Sequence, residues 1–312
     1  MRRILGPVLV GLGCFFLAVA LLVRFYAYPE LAVAPVNQNS VTKLQAEDAT
    51  YFNTSTLSEE QTDLSVQNLT LGDAEATEEA GDDVRVWFGS TSIRAADGTI
   101  ISRSQERVAF GATDGAAVNC CEAFSETTEG ERTAANREGQ VYKLPFNTQK
   151  QTYQWWDGTL GESVDMEFVE ETDVDGLTVY RFESDVPATE VGTREIPGSL
   201  VDSEEPAVTV TTVYENSKTL WVEPETGAIV DRNESTRTSL EYEGEEAVVA
   251  TEANLEYTDE TVATNREDLG DLGQQLSLAR TTAPIVLGVL GLLLLGLGIL
   301  LARRRSADPK AG

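Results

Sequence analysis

Two uncharged apolar segments lie near the two ends of the chain and constrain its architecture more than any other feature. They occupy residues 4–23 and 281–302. Each is long enough to cross about 30 Å of hydrocarbon as a helix. Arg2 and Arg3 precede the first segment, and three arginines at 303–305 follow the second. Because basic residues favour the cytoplasmic side, we expect both short tails inside the cell and everything between the spans outside it.

The first apolar segment is predicted to stay in the protein as an uncleaved signal anchor. Its core runs for about 20 residues before Arg24, whereas the core of a cleaved signal peptide usually has about 7 to 15. The expected organisation is a cytoplasmic tail at 1–3, a transmembrane helix at 4–23, an acidic extracytoplasmic domain at 24–280, a second transmembrane helix at 281–302 and a cytoplasmic tail at 303–312. The expected location is the plasma membrane. Neither span contains GxxxG spacing, so the sequence does not specify how the two helices pack.

The region between the spans is strongly acidic. The chain has 23 basic and 52 acidic residues, of which seven basic and one acidic lie outside 25–280. That leaves a net charge of about −35 on the region between the spans. Such a charge repels phosphate backbones, so nucleic acid is excluded as an expected partner.

The composition also argues against most enzyme classes. The chain contains no histidine, which rules out a Ser-His-Asp triad and histidine-ligated zinc or haem. No carboxylate spacing selects an acid/base pair, so a carboxylate-dependent glycan enzyme is kept only as a minor alternative. Asp173-Val174-Asp175-Gly176 resembles the start of a calcium loop but lacks its later ligands, and we interpret it as a turn. We therefore expect a non-enzymatic protein without a metal or cofactor.

Alternating apolar and polar residues predict a mainly β (α+β) extracytoplasmic domain, an antiparallel sheet or barrel-like structure between the N- and C-terminal transmembrane helices. Strands are expected at 84–88 and 92–101, with a turn at Asp97-Gly98. A late meander is expected at 208–214, 219–222, 228–233, 237–242 and 247–257, with separating segments at 215–217, 224–227 and 243–245. A polar helix capped by Thr258 is expected to follow it. Residues 44–84 contain eleven acids and no base, and indicate either a mobile acidic stretch or a strand through Leu64 and Val66.

Cys120 and Cys121 are the only cysteines outside the two apolar segments, and they are neighbours. They cannot link distant parts of the domain. Adjacent Cα atoms lie about 3.8 Å apart across a trans peptide, which is short for a disulfide. The oxidising side of the membrane nevertheless favours disulfides. We predict a vicinal disulfide, with two free thiols or intermolecular bonds as the alternatives.

Residues 142–160, YKLPFNTQKQTYQWWDGTL, combine aromatic and basic side chains in an otherwise acidic domain. Phe146, Tyr153, Trp155 and Trp156 are the candidate ligand or partner surface, because aromatic rings supply apolar contact area. The alternative is that the paired tryptophans simply contribute to the core and cover a loop.

This segment, together with LTVYRFESDVPAT at 177–189, IPGSL at 196–200, TLWVEPETGAIVDR at 219–232 and YTDETV at 257–262, closely resembles the actinobacterial PorA-like membrane proteins. The resemblance implies an envelope protein associated with lipid or lipoglycan maturation. It does not imply an outer-membrane pore, which would need lipid-facing strands in place of two apolar helices. At the level of architecture alone, the chain also resembles class B scavenger receptors.

These observations lead to a functional hypothesis. We expect a cell-envelope membrane protein that binds or helps to transfer a lipid or lipoglycan at the outer face of the plasma membrane. The alternative is a structural or regulatory partner of envelope-assembly enzymes. A lipid, a lipoglycan and other envelope proteins are therefore the partners under consideration.

Overall fold

A computed structural model describes residues 5–126, 130 and 132–306 of the chain. Residues 34–270 form one compact unit, and the two terminal segments together form another. The helices are α1 (Leu5–Leu22), α2 (Tyr28–Leu31), α3 (Ala74–Ala80), α4 (Asp259–Ser277) and α5 (Ala283–Ser306); π turns at Val23–Ala27 and Leu278–Thr282 join α1 to α2 and α4 to α5, and a short 3-10 turn spans Gly198–Val201.

The unit formed by residues 34–270 contains a twelve-stranded sheet in which the assigned strand pairs are antiparallel. The strand order is β6-β5-β4-β3-β2-β1-β12-β11-β10-β9-β8-β7, so the first and last strands pair in the middle. The strands are β1 (Asn39–Asn53), β2 (Ser58–Gly72), β3 (Val84–Ala95), β4 (Ile100–Gly111), β5 (Phe124–Glu126), β6 (Arg132–Ala134), β7 (Tyr153–Asp157), β8 (Glu162–Val174), β9 (Leu177–Pro197), β10 (Ala207–Val222), β11 (Ile229–Tyr242) and β12 (Glu245–Tyr257). The predicted mainly β domain between terminal apolar helices is confirmed.

Three isolated bridges connect β4, the third strand from one end of this order, to β7 at the other end. Phe110 of β4 pairs with Ala117, Ala116 pairs with Gln140, and Gln140 pairs in parallel with Trp155 of β7. The hydrogen bonds from Gln140 to Gln154 and from Trp156 to Gln140 belong to the same connection. The backbone therefore forms a continuous hydrogen-bonded ring at this level, which gives the sheet its barrel-like character and leaves fewer unpaired edges.

The interior of the ring follows from period-two alternation, which sends successive side chains to opposite faces of a strand. On β10, Val208, Val210, Leu220 and Val222 are buried, while Thr209 is exposed. Four apolar clusters fill this part of the molecule, and the largest surrounds Leu144, Phe182 and Leu220. Burial of these alternating side chains fixes the register of the strands, since a one-residue slip would expose the whole set.

The separation predicted at 215–217 in the late meander was wrong, because β10 runs without interruption from Ala207 to Val222. The expected strands at 228–233 and 237–242 are likewise parts of one strand, β11. Asn216 and Glu234 are polar but buried, so they face the interior and do not mark loops. The turns at Pro224–Gly227 and Glu243–Gly244 are confirmed, as is the helix cap at Thr258.

The early part of the domain also differs from expectation in one respect. The strands predicted at 84–88 and 92–101 were wrong in their boundaries, because β3 continues through Gly89 as a single strand. The turn at Asp97-Gly98 is confirmed, and the Asp97 side chain accepts a hydrogen bond from the Thr99 backbone. Of the two interpretations of residues 44–84, the structure shows the strand, β2, followed by the short helix α3.

The terminal unit contains two helices that are long and apolar enough to cross a membrane. α1 packs on α5 through small residues spaced seven apart. Gly6 and Gly13 of α1 meet Gly298 and Gly291 of α5. A Cβ atom added at Gly13 would lie 2.7 Å from the carbonyl oxygen of Gly291, so the two backbones are in direct contact. The packing signal is a heptad repeat of small residues, which permits close approach of the helices.

This packing predicts different effects for two neighbouring glycines. We expect Gly13→Ala to lower the free energy of unfolding by about 1–3 kcal/mol, because the added methyl group meets backbone atoms of α5. Gly11→Ala is the matched control, since a Cβ there has no described neighbour within 4 Å. Unfolding of the purified full-length protein in mixed micelles measures both values. Equal effects of the two substitutions would contradict the helix packing.

Candidate functional site

A row of buried polar side chains crosses the interior of the ring, and we call it the polar row. Lys218 of β10 lies directly opposite Glu234 of β11, with its Nζ 3.2 Å from Glu234 Oε1 and 3.9 Å from Asp157 Oδ2. Asn216 donates to both Glu234 and Tyr214, and Tyr214 donates to Asp157 over 3.1 Å. Arg232 pairs with the second oxygen of Glu234. Two basic and two acidic side chains therefore balance within the row.

The electrostatics of the polar row keep the Glu234 carboxylate ionised. Burial alone would raise the pKa of Glu234, but the charges of Arg232 and Lys218 and the hydrogen bonds from Asn216 and Arg232 outweigh burial and lower it to about 2. Burial, with the charge of Asp157 adding to it, raises the pKa of Tyr214, so this phenol remains protonated and can donate to Asp157. The arrangement holds charges in fixed positions and stabilises the domain.

A second buried lysine, Lys143, has no such partner. Its Nζ lies 3.6 Å from the centroid of the Phe146 ring and makes no hydrogen bond within the described part of the chain. Burial lowers the pKa of Lys143 to about 7, although Asp114 and Glu223 partly offset that effect. Burial likewise raises the pKa of Glu223, whose carboxylate accepts hydrogen bonds from the backbone of Glu225 and Thr226.

The aromatic residues proposed as a ligand or partner surface occupy different environments. Tyr153 and Trp155 are each only 8% exposed and belong to the apolar cluster around Leu144. Trp156 is half-buried against a second cluster that contains Trp87 and Phe110. Phe146 is also half-buried, beneath the Lys143 amine. Ligand binding by this segment stays a prediction, and Phe146 and Trp156 are its members with accessible ring area.

A shallow groove of about 390 Å³ lies at the β5–β6 end of the sheet. We call it the arginine groove, and its lining residues are Arg107, Glu122, Ala123, Phe124, Arg132 and Ala134. The Arg132 guanidinium lies 3.9 Å from the centroid of the Phe124 ring and binds Glu126. Arg107 binds Asp73 at 2.9 Å, whereas its distance to Glu122 is 3.7 Å. The Glu122 side chain is 93% exposed, so it is the weakest of these contacts.

A buried arginine positions the strand that forms one wall of this groove. Arg137 donates to Glu106 of β4, and also to the carbonyl of Phe124 and the hydroxyl of Ser125 on β5. Glu106 in turn accepts a hydrogen bond from Tyr142. Burial raises the pKa of Tyr142 well above its usual range, so the phenol is a donor at all physiological pH values. These charge-assisted hydrogen bonds attach β5 to β4.

Cys120 and Cys121 form the turn that leads into β5. Their sulfur atoms are 2.15 Å apart and their Cα atoms 3.8 Å apart, which is the spacing of a trans peptide. Asn119, the preceding residue, accepts a hydrogen bond from the backbone N–H of Arg137 and donates to its carbonyl. The oxidation state of the pair in cells stays a prediction, and intact mass with and without reductant after alkylation tests it.

Comparison with known proteins identifies the family. The sequence model of the family described as Porin PorA matches residues 5–300. The chain belongs to the Porin PorA family. A Porin PorA of Corynebacterium amycolatum is 24% identical over an alignment of 393 positions, which covers 98% of this chain and all of the relative. A Porin PorA of Corynebacterium resistens is 25% identical over an alignment of 241 positions, which covers 56% of this chain and 58% of the relative.

Membership of the Porin PorA family confirms the resemblance seen in the sequence motifs. It makes this chain a membrane protein of the cell envelope, in agreement with the two helices that are long enough to span a bilayer. The matched region includes the first of these helices, the second as far as residue 300, and the whole sheet.

Replacing a buried lysine by methionine is expected to affect the free energy of unfolding differently at Lys218 and at Lys143. We expect Lys218→Met to lower the free energy of unfolding by about 3–5 kcal/mol, because Asp157 and Glu234 lose a shared buried cation. Lys143→Met is the matched control, and we expect it to leave stability unchanged or to raise it, since it removes an unpaired buried amine. Denaturant unfolding of the full-length protein at pH 8 measures both. Equal losses in the two variants would contradict this assignment.

The low pKa of Glu234 predicts a specific loss of stability in acid. An unfolded glutamate titrates near about 4.3, so between that pH and about 2 the unfolded chain takes up a proton that folded Glu234 does not. The contribution of Glu234 is therefore complete above pH 5 and is lost as the pH falls toward about 2. We expect Glu234→Gln to be less stable than the parent chain at pH 6 and to show a flatter acid dependence. Unfolding midpoints across this pH range measure both effects.

Proposed function

We propose that this chain is a non-enzymatic protein of the cell envelope that binds, or helps to transfer, a lipid or lipoglycan at the outer face of the plasma membrane, with both of its termini in the cytoplasm. The observation that carries the proposal is the arginine groove. It combines two guanidinium groups and an aromatic ring in a domain whose surface is otherwise acidic. Guanidinium groups bind phosphate and carboxylate oxygens, and a ring beside them supplies contact for apolar groups.

The charges around the groove suggest how an anionic headgroup would enter. Asp73 and Glu126 hold Arg107 and Arg132 at short distances, and these pairs orient the guanidinium groups. Glu122 makes the longest contact and is almost fully exposed, so an incoming anion displaces it at little cost. Glu122 therefore competes with the ligand, while the two arginines attract it.

The relatives carry the name porin, and we do not extend that function to the sheet of this chain. Exposed positions on β10 include Thr209, Glu215 and Ser217, which are polar. Strands that span a membrane place apolar side chains against lipid. The two apolar helices are the elements suited to the bilayer.

Lipid binding through the groove predicts effects of opposite sign for two substitutions. Arg132→Gln is expected to weaken binding of a short-chain phosphatidylinositol roughly fivefold, because it removes a charge-assisted contact. Glu122→Gln is expected to strengthen binding roughly twofold to threefold, because it removes the competing carboxylate. Native mass spectrometry of the full-length protein in detergent micelles measures the bound fraction, with short-chain phosphatidylcholine as the uncharged comparison.

Arg237→Gln is the matched control for a general charge effect. Arg237 is an arginine on β11 that pairs with Glu246 and Glu252 and does not line the groove. Its substitution should leave lipid binding unchanged. If Arg237→Gln and Arg132→Gln weakened binding equally, the groove would not be the site. If neither lipid bound to the parent chain, the lipid-binding proposal would be overturned.

The alternative function, a structural or regulatory partner of envelope-assembly enzymes, has support from one surface. Exposed carboxylates are dense on β8 and the adjoining turn and strand: Glu162, Asp165, Glu167, Glu170, Glu171, Asp173, Asp175 and Asp185. Such a surface favours a basic protein partner through electrostatic steering. Crosslinking in cells distinguishes the two functions, because docking predicts stable protein neighbours in both the parent chain and the Arg132→Gln variant.

A further inference from the structure

We propose that the Cys120–Cys121 pair is a thiol-exchange site that a small dithiol reduces, and that its reduction releases the β5–β6 hairpin from β4. The proposal concerns the stability of one end of the sheet. It does not rest on the proposed lipid binding, although β5 and β6 carry part of the lining of the arginine groove. It rests on the backbone of the cysteine turn, on the hydrogen bonds that couple this turn to β5, and on the small size of the hairpin.

The backbone of the turn is held in a conformation that residues with a Cβ rarely adopt. Cys121 has a φ of 62° and Glu122 a φ of 54°, so two consecutive side-chain-bearing residues lie in the left-handed region. The turn also contains hydrogen bonds from the Cys120 amide to Val118 and from the Ala123 amide to Cys120. A covalent link between the two sulfurs restricts this backbone, and its removal allows the turn to relax toward ordinary φ values.

The turn is coupled to β5 from both sides. Asn119, just before the cysteines, exchanges two hydrogen bonds with the backbone of Arg137, whose side chain binds Phe124 and Ser125. Ala123, just after the turn, accepts a hydrogen bond from the Ala135 amide. Movement of the cysteine turn therefore changes the position of Arg137 and the start of β5 together.

The hairpin itself is the least secured part of the sheet. β5 and β6 have three residues each, and β5 pairs with β4 only over Gln105–Arg107. All three residues of β6 are exposed, and β6 is the last strand in the order. Short exposed edge strands open at low free energy, so a change in the adjoining turn decides whether they stay paired.

A dithiol reductant supplies the two electrons and two protons that reduction of the cysteine pair requires. A thiolate of the dithiol attacks one sulfur of the pair, the bond between the two cysteine sulfurs breaks, and a mixed disulfide forms. The second thiol of the reductant then attacks this mixed disulfide. The protein gains two electrons and two protons as two thiols, and the dithiol becomes a cyclic disulfide.

Hydrogen–deuterium exchange of the full-length protein in detergent micelles tests the proposal. We expect dithiothreitol to accelerate amide exchange in β5 and β6 roughly tenfold, while exchange in β10 and β11 stays unchanged. Alkylation and intact mass on the same samples establish how many thiols react before and after reduction. We expect no alkylation of Cys120 and Cys121 before treatment and alkylation of both after it.

Two variants complete the test. The double variant Cys120→Ser/Cys121→Ser is expected to exchange at the fast rate in β5 and β6 with or without dithiothreitol. Cys14→Ser removes the remaining cysteine and is expected to respond as the parent chain does. Free thiols at Cys120 and Cys121 before reduction would overturn the proposal, as would full reduction with unchanged exchange in the hairpin.

Discussion

The ammonium group of Lys218 lies inside a ring of strands, where an unpaired charge would strongly destabilise the fold. It is tolerated because Asp157 and Glu234 face it from β7 and β11. Tyr214 and Asn216 donate to the same two carboxylate oxygens. The other two oxygens are bound by Arg232 and by the backbone amides that follow Asp157. This constraint reaches far along the chain. Asp157 belongs to the aromatic and basic stretch at 142–160 and lies on β7, the last strand in the order. The polar row therefore connects β7 to β10 and β11. Apolar side chains of β10 on both sides of the row belong to two of the clusters, and their burial fixes the register of the strands.

The ring closes through a segment with little regular structure. Residues 115–117 and 139–141 connect β4 to β7 by backbone hydrogen bonds, and Arg137 and Tyr142 from the same segment meet at Glu106. Arg137 also holds β5, so the closure of the ring, the wall of the arginine groove and the position of the cysteine turn depend on one set of contacts. This shared dependence explains why the arginine groove and the cysteine turn lie together at one end of the strand order.

The sequence predicted much of this fold, and its error in the late meander has an identifiable cause. Alternation predicted the meander, and Asp97-Gly98, Glu243-Gly244 and the Thr258 cap were correct because turn and cap preferences are local. Asn216 was taken for part of a separating segment because polar side chains usually lie at the surface. Val208, Val210, Tyr214, Leu220 and Val222 all lie at even positions, and this shared parity was the available signal that β10 continues. The heptad spacing of Gly6 and Gly13 was likewise readable, but the partner glycines on α5 could be assigned only from the antiparallel packing of the two helices.

By itself, the sequence determined the features that depend on neighbouring residues or on summed composition: two apolar spans, an acidic and mainly β domain between them, the adjacent cysteines, and the absence of histidine chemistry. Only the tertiary structure decided which distant side chains meet. Lys218 pairs with Asp157, which is 61 positions away in the chain, and Arg107 and Arg132 both line the groove. These residues meet because antiparallel pairing and ring closure bring remote segments into contact. Burial then decides the structural role of a polar residue. An exposed asparagine is typical of a turn, whereas the buried Asn216 completes a network of charged side chains inside the ring.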